Sequence, residues 1–275
     1  DSLNLGGQGA MSLTLSMADD NLQTGLNLDL AEIRLVRPGV FPFTIEAAKG
    51  SLNFRKQGKA VSYDADLVAS NMTYGAQKLD SLRLKGTSAD STPLTASLQG
   101  YLGNRIDLEM SARPLKGGVD VGLTATYGDV AATTTAPILV RWDGEEDLSI
   151  DMPTMQVAGG TLTAKAALAG EQGHIELKAD AIAMTIANLF RPGSIEGGTF
   201  DATLAFDRQQ GSESGTATLA FDNLTLPRWR VAAAPDEYAG NFQAVMQDGA
   251  IKFDGAITEA GREFGSLTGD LPYER

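Results

Sequence analysis

The feature that most constrains this chain is an alternation of apolar and polar residues with a period of two, recurring over most of its 275 residues. "MSLTLSM" sets Met11, Leu13, Leu15 and Met17 on one side of an extended backbone, and "LNLDLAEIRL" continues with Leu26, Leu28 and Leu30. Successive side chains of a strand point to opposite faces, so this text spells strands with one apolar and one polar face. The pattern returns at Phe41, Phe43, Ile45; at Ile106, Leu108, Met110; at Val119, Val121, Leu123; at Ile138, Val140, Trp142; and at Leu148, Ile150, Met152. It persists through Leu162 and Ala164, Ile175 and Leu177, Ala217, Leu219 and Phe221, and Ile251 and Phe253. Turn signals such as "DGEED", "KGG", "GEQG" and "RQQGSESG" punctuate these runs, as in antiparallel meanders. The spacing predicts an all-β chain of roughly twenty strands.

One stretch changes period. In "AMTIANLFRPGSIEGGTFDATLAFD", residues 183 to 207, the apolar residues Ile182, Ile186, Leu189 and Phe190 follow helical spacing. Asp180 is placed to cap a helix and Pro192-Gly193 to end it. This predicts one short helix near 181–190, its apolar stripe on the strand face and Thr185 and Asn188 toward solvent. After Gly197-Gly198 the strand period resumes at Phe200, Ala202, Leu204 and Phe206.

One-sided alternation over such a length requires an apolar cover, and no set of helices is available to supply it. A second sheet, the same sheet curled round, or a ligand would each serve, and periodicity does not choose among them. "RPG" at 37–39 returns at 191–193, and "GGTL" at 159–162 returns as "GGTF" at 197–200, which suggests accretion of similar β units.

Charge removes several functions. Lys and Arg total 22 against 35 Asp and Glu, and the net charge of −13 argues against nucleic acid and against docking on an anionic membrane through basic residues. With no cysteine there is no disulfide, thiolate site or thiol nucleophile. His174 is the single histidine, which leaves no partner set for a triad or a His-based metal site; it reads as an exposed residue. Asp19-Asp20 and Glu145-Glu146-Asp147 read as solvated turn charges, a glycosidase pair being the alternative. "GGQG" at 6–9 lacks the aspartate of a calcium repeat, a position held by Met11. "LPRWRV" interleaves Arg228 and Arg230 with Trp229, as a loop anchor or as a contact to lipid head groups. No catalytic residue, metal or cofactor is therefore predicted, and the chain reads as a non-enzyme. Neither a secretion leader nor an apolar run of about 18 residues is present. The strand-like text at both ends suggests one continuous β segment over 1–275, excerpted from a longer protein whose flanks hold the targeting information.

"IANLFRPGSIEGGTFDATLAFDRQQGSESGTATLAFDNLTLP" (186–227), followed by "YAGNFQAVMQDGAIKFDGAI", resembles the TamB family of AsmA-like proteins of Gram-negative envelopes. The resemblance is best over 155–258, with "YDADLVASNMTYGAQKLDSLRLKG" (63–86) similar but less specific. It implies a long antiparallel sheet bent lengthwise into an open apolar trough, a β-taco, in the periplasm, anchored to the inner membrane by a segment outside this chain. It further implies phospholipid transport to the outer membrane and an outer-membrane barrel partner bound outside the chain. On that reading acyl chains cover the apolar strand faces. The lining would be Leu13, Leu15, Leu26, Leu28, Phe43, Ile45, Ile106, Leu108, Val121 and Leu123, then Leu162, Leu177, Phe200, Leu204, Phe206, Leu219, Phe221, Ile251 and Phe253. At roughly 0.8 kcal/mol per methylene, a lipid with about thirty methylenes faces on the order of 24 kcal/mol in crossing water, most of which such a trough removes. About twenty strands roughly 4.8 Å apart would give a trough on the order of 90 Å long. A scaffold for autotransporter assembly, offering strand edges to a client, and a β-solenoid adhesin filled by its own side chains are the alternatives.

Overall fold

The computed structural model describes residues 4–18, 21–36, 39–58, 60–88, 92–143, 147–189, 191, 193–209, 211–227, 237–247 and 249–272. The chain is almost entirely antiparallel β-structure: eighteen strands and one six-residue 3-10 helix among the described residues. It divides into two compact units, Asp1–Asp129 and Val130–Arg275.

The first unit is an uninterrupted meander. Its strands are β1 (Asn4–Ala18), β2 (Asn21–Val36), β3 (Phe43–Gln57), β4 (Ala60–Tyr74), β5 (Gln77–Thr87), β6 (Leu94–Tyr101), β7 (Arg105–Leu115) and β8 (Gly118–Tyr127). Each pairs antiparallel with the next. Directly opposed residues share a face, so the registers turn local alternation into rows. One row runs Met11, Leu28, Gly50, Leu67, Leu84, Ala96, Met110, Leu123 from β1 to β8. Its neighbour on the other face runs Ser12, Asn27, Ser51, Asp66, Lys85, Thr95, Ser111, Gly122. A slip of one residue in any strand would have interleaved the two.

The alternation changes phase once inside β2, β3 and β4. Glu32 and Asn71 adopt left-handed backbone conformations (φ 53° and 47°), and Glu46 of β3 lies between them in register. Asn71 Nδ2 donates to Glu46 Oε2. Beyond this line the apolar positions shift by one, so that Leu26, Leu28 and Leu30 are followed by Ile33 and Leu35, the latter two opposite Ile45 and Phe43. The apolar face is thereby kept on one side while the strands bend.

The second unit contains β9 (Val130–Thr134), β10 (Ile138–Asp143), β11 (Asp147–Val157), β12 (Gly160–Ala169), β13 (Gln172–Ala183), β14 (Gly197–Gln209), β15 (Ser212–Thr225), β16 (Glu237–Gln247), β17 (Ala250–Glu259) and β18 (Arg262–Pro272). β9 and β10 pair with different halves of β11, and from β11 to β18 each strand pairs antiparallel with the next. β11, β13 and β15 each carry a bulge, between Met152 and Met155, Ala179 and Ile182, and Phe221 and Leu224. The two "GGT" segments answer these bulges. A Cβ on Gly160 would lie 2.5 Å from the carbonyl of Ala181, and one on Gly198 would lie 2.8 Å from Leu224 Cα, so glycine is what lets the bulged backbone of the following strand come close.

The helix differs from its sequence-based expectation. Asp180 to Ala183 continue β13, where Asp180 pairs with Thr161 and Ile182 with Phe200, and only Met184–Leu189 turn as a 3-10 helix. The spacing of Ile182, Ile186 and Leu189 arises from a bulged strand end followed by a tight turn, which six residues accommodate more readily than a capped α-helix. Asp180 bridges Lys178 at 3.1 Å instead of capping. Asn188 is not a solvent-face residue. Its Oδ1 accepts from the backbone N–H groups of Ser194 (3.0 Å) and Ile195 (2.9 Å) and from Ser194 Oγ, while Nδ2 donates to the Ile195 carbonyl at 2.7 Å. Phe190 and Pro192 lie outside the described residues. The helix does pack its apolar side on the strand face: Ile186 adjoins the buried cluster of Val157, Ala179 and Ile182.

Candidate functional site: the apolar sheet faces

The registers place the proposed lining residues on the apolar face of their own unit. In the first unit Leu13 opposes Leu26, Leu15 lies two residues along β1, and Leu28, Phe43 and Ile45 follow on β2 and β3. Ile106 and Leu108 on β7 oppose Tyr127 and Ala125, and Val121 and Leu123 on β8 oppose Ala112 and Met110. In the second unit one row passes through Leu162, Ala179, Ala202, Leu219 and Phe242, and the adjacent row through Ala164, Leu177, Leu204, Ala217, Ala244 and Phe253. Phe200 and Phe221 oppose each other, and Phe206 and Ile251 belong to the row through Ile175, Gly215 and Met246.

These faces are covered only in part. Ten hydrophobic residues among those described are buried, and no large side chain is completely so. Leu26, Leu28, Leu108, Leu123, Leu162 and Leu177 are half-buried. Leu204 and Leu219 remain 41% and 39% exposed. The accessible surface of 17731 Å² makes the same point. Two separate globular proteins of half this mass would together expose about 14,000 Å². The excess accords with apolar faces that are covered only in part.

In the second unit the floor of the face is built from paired phenylalanine and glycine. Phe206 opposes Gly215, Phe221 opposes Gly240, Phe242 opposes Gly255 and Phe253 opposes Gly269. A Cβ at Gly240, Gly255 or Gly269 would fall within 2.2–2.5 Å of the facing ring. Each ring therefore lies across bare backbone of the next strand and fills the space that a side chain would take. Phe221 and Phe242 stack with centroids 6.3 Å apart. A depression of about 500 Å³ is lined by Met152, Ala164, Leu177 and Leu204, a single row across β11 to β14, with Thr163, Lys165, Glu176 and Lys178 among its neighbours.

Sequence inspection passed over part of this surface. Tyr63, Ala65, Leu67 and Ala69 make β4 the best-buried strand of the first unit. Their alternation is legible in "YDADLVAS". Phe242 and the four glycines were equally present in the text, but only the register discloses that a glycine faces a ring.

The polar faces carry charge pairs and one perturbed group. His174 Nδ1 lies 2.7 Å from Asp207 Oδ1 across the β13–β14 ladder, and its Nε2 lies 3.3 Å from Glu176. The hydrogen bond to Asp207, helped by the charges of both carboxylates and opposed by some desolvation, raises the imidazole pKa above its usual 6.5. His174 is half-exposed where the sequence suggested a plainly exposed residue, and it has a partner that the sequence did not reveal. No group of three or more metal-binding side chains occurs among the described residues, and none of their helices is long and apolar enough to cross a membrane. Gly6 to Gly9 belong to β1. Asp19-Asp20, Glu145-Glu146 and Arg228-Trp229-Arg230 lie outside the described residues. No family model, curated protein or solved structure matches the chain.

Proposed function

We propose that the apolar sheet faces bind the acyl chains of phospholipid and carry them along the sheet, as a non-enzymatic periplasmic segment of a bridge between inner and outer membranes. The observation that carries this reading is the incomplete burial of whole rows of Leu, Met and Phe. Scattered exposed apolar residues are ordinary, but a contiguous exposed patch of more than a few hundred Å² signals a binding surface. Rows that stay half-exposed across many consecutive strands suit a linear, flexible, apolar ligand better than a globular partner. The Phe–Gly pairs support the same reading, since rings lying against the backbone leave few side chains standing in the path of a methylene chain. Polar residues on the opposite face keep the outside wet. The sequence resemblance over 155–258 supplies the envelope setting, the inner-membrane anchor and the barrel partner. Scaffolding of autotransporter assembly is the second reading, in which strand edges are offered to a client. Native mass spectrometry of the chain purified from a Gram-negative host tests the first. Adducts with phospholipid masses, lost when Leu204 and Leu219 become Asp, are the expected result. A ligand-free spectrum that stays free after incubation with phospholipid vesicles would reject it.

A further inference from the structure

The short helix Met184–Leu189 stands where the strand period breaks, and both of its ends are fastened. Ahead of it, the Ala183 N–H donates to the Ala158 carbonyl, between β11 and β12, at 3.1 Å. Behind it, the Asn188 carboxamide bonds Ser194 and Ile195, and the Glu196 N–H donates to the Thr225 carbonyl of β15 at 2.9 Å. Between these ties Ile186 packs on the cluster of Val157, Ala179 and Ile182, which are 4–8% exposed. The cover is narrow. Along β14 it ends between Ala202, which is half-buried, and Leu204, which is 41% exposed. The row that it covers, through Leu162, Ala179 and Ala202, reopens on β15 at Leu219, 39% exposed. Two uncovered rows remain beside the helix on β12 to β14. One holds the depression at Ala164, Leu177 and Leu204, and the other passes through Ala166, Ile175 and Phe206. The next position of that face on β14 and β15 carries Arg208 and Glu213, an ion pair 3.6 Å apart.

Building on the acyl-binding reading, we propose that this helix is a constriction of the acyl path and that Ile186 sets its width. At β15 the apolar face is three rows wide, through Gly215, Ala217 and Leu219. At β12 to β14 the helix takes the outermost of the three and leaves two, about 7 Å apart, since each residue advances about 3.4 Å along a strand. Acyl chains lying along the sheet are therefore held on the rows of Leu204 and Phe206. Ile186 bounds them on one side. On the other stands the Arg208–Glu213 pair, which resists an apolar neighbour because covering it would strip its water. The ties at Ala183, Asn188 and Glu196 are all made within the protein, so the wall stands whether or not a chain occupies the strip.

The width can be read with phosphatidylcholine vesicles doped with an analogue whose one acyl chain ends in a diazirine. The folded chain is irradiated with them and its adducts are mapped by mass spectrometry. In the parent, adducts should form at Leu177 and Leu204. They should be at least about tenfold rarer at Ala179 and Ile182, as under a cover closed about nine-tenths of the time or more. Ile186→Ala trims the wall and should raise labelling at Ala179 and Ile182 severalfold while leaving Leu204 unchanged. Ile186→Val should keep the parent pattern. Should Ile186→Ala fail to fold, Asn188→Ala decides: it frees the helix from Ser194 and Ile195 without altering the apolar surface, and should spread the labelling in the same way. Labelling at Ile182 equal to that at Leu204 in the parent overturns the constriction and leaves acyl binding intact. Variants that label as the parent does overturn it too. The absence of adducts from every apolar row overturns the constriction and the acyl reading together.

Discussion

Replacing one leucine of the apolar face with aspartate separates a binding surface from a sealed core. Leu204 opposes Leu177 and Ala217 and keeps 41% of its surface exposed. A fully buried leucine contributes about 1.5–3 kcal/mol, so the covered fraction here is worth roughly 1–2 kcal/mol, and the poor fit of aspartate to a strand adds up to about 1 kcal/mol. The new carboxylate still reaches water, which leaves a total of about 2–3 kcal/mol. Ile182 lies on the same face but is 4% exposed, inside the cluster with Val157 and Ala179. Ile182→Asp forfeits the whole side-chain term and strands a charge away from water, for at least about 4 kcal/mol. In urea, where m for a domain of this size is about 2–3 kcal/mol/M, Leu204→Asp should lower the midpoint by about 1 M and keep a cooperative transition. Ile182→Asp should abolish the transition of its unit. Equal collapse of both variants would refute the reasoning, because Leu204 would then belong to a sealed interior.

Three further outcomes follow from particular contacts. Gly255→Ala drives a methyl to 2.2 Å from Phe242 and should cost about 1–3 kcal/mol, largely relieved when Phe242 is cut to leucine; a double-mutant cycle measures that coupling. Asn188→Ala removes four hydrogen bonds to residues 194 and 195 and should cost about 1–3 kcal/mol, with amide exchange accelerated at Ser194 and Ile195. The raised pKa of His174 means that its bond to Asp207 favours folding below the unfolded pKa near 6.5 and ceases to do so as pH rises through the folded value. An NMR titration should find the imidazole above 6.5 and the Asp207→Asn variant lower; an unchanged value in that variant would remove Asp207 as the cause.

The all-β fold and the sided strands were legible because period two needs no long-range information. At Leu26 to Leu30 and at Phe200 to Phe206 the text names the face outright. The phase shifts were not legible. Glu32, Ala181 and Asn223 adopt positive φ (53°, 50° and 52°), and two of these residue types give no turn signal. The short helix lies within its expected span, but its start was not legible for a related reason. Ile182 belongs to β13 by its pairing with Phe200 across a bulge, a contact eighteen residues away that no local window contains. The Phe–Gly pairs and the His174–Asp207 contact depend on register in the same way: both partners are visible in the sequence, and only the ladder brings them together.

The central claim is that acyl chains cover the apolar face, and adjacent residues on opposite faces test it most directly. Leu204 lies on the apolar face and Thr203, whose hydroxyl is 2.6 Å from that of Thr218, on the polar one. A photo-reactive side chain at each position, irradiated in the folded chain with labelled phospholipid vesicles, should give a lipid adduct at 204 and none at 203. Equal labelling at both positions, or none at 204, would contradict the account.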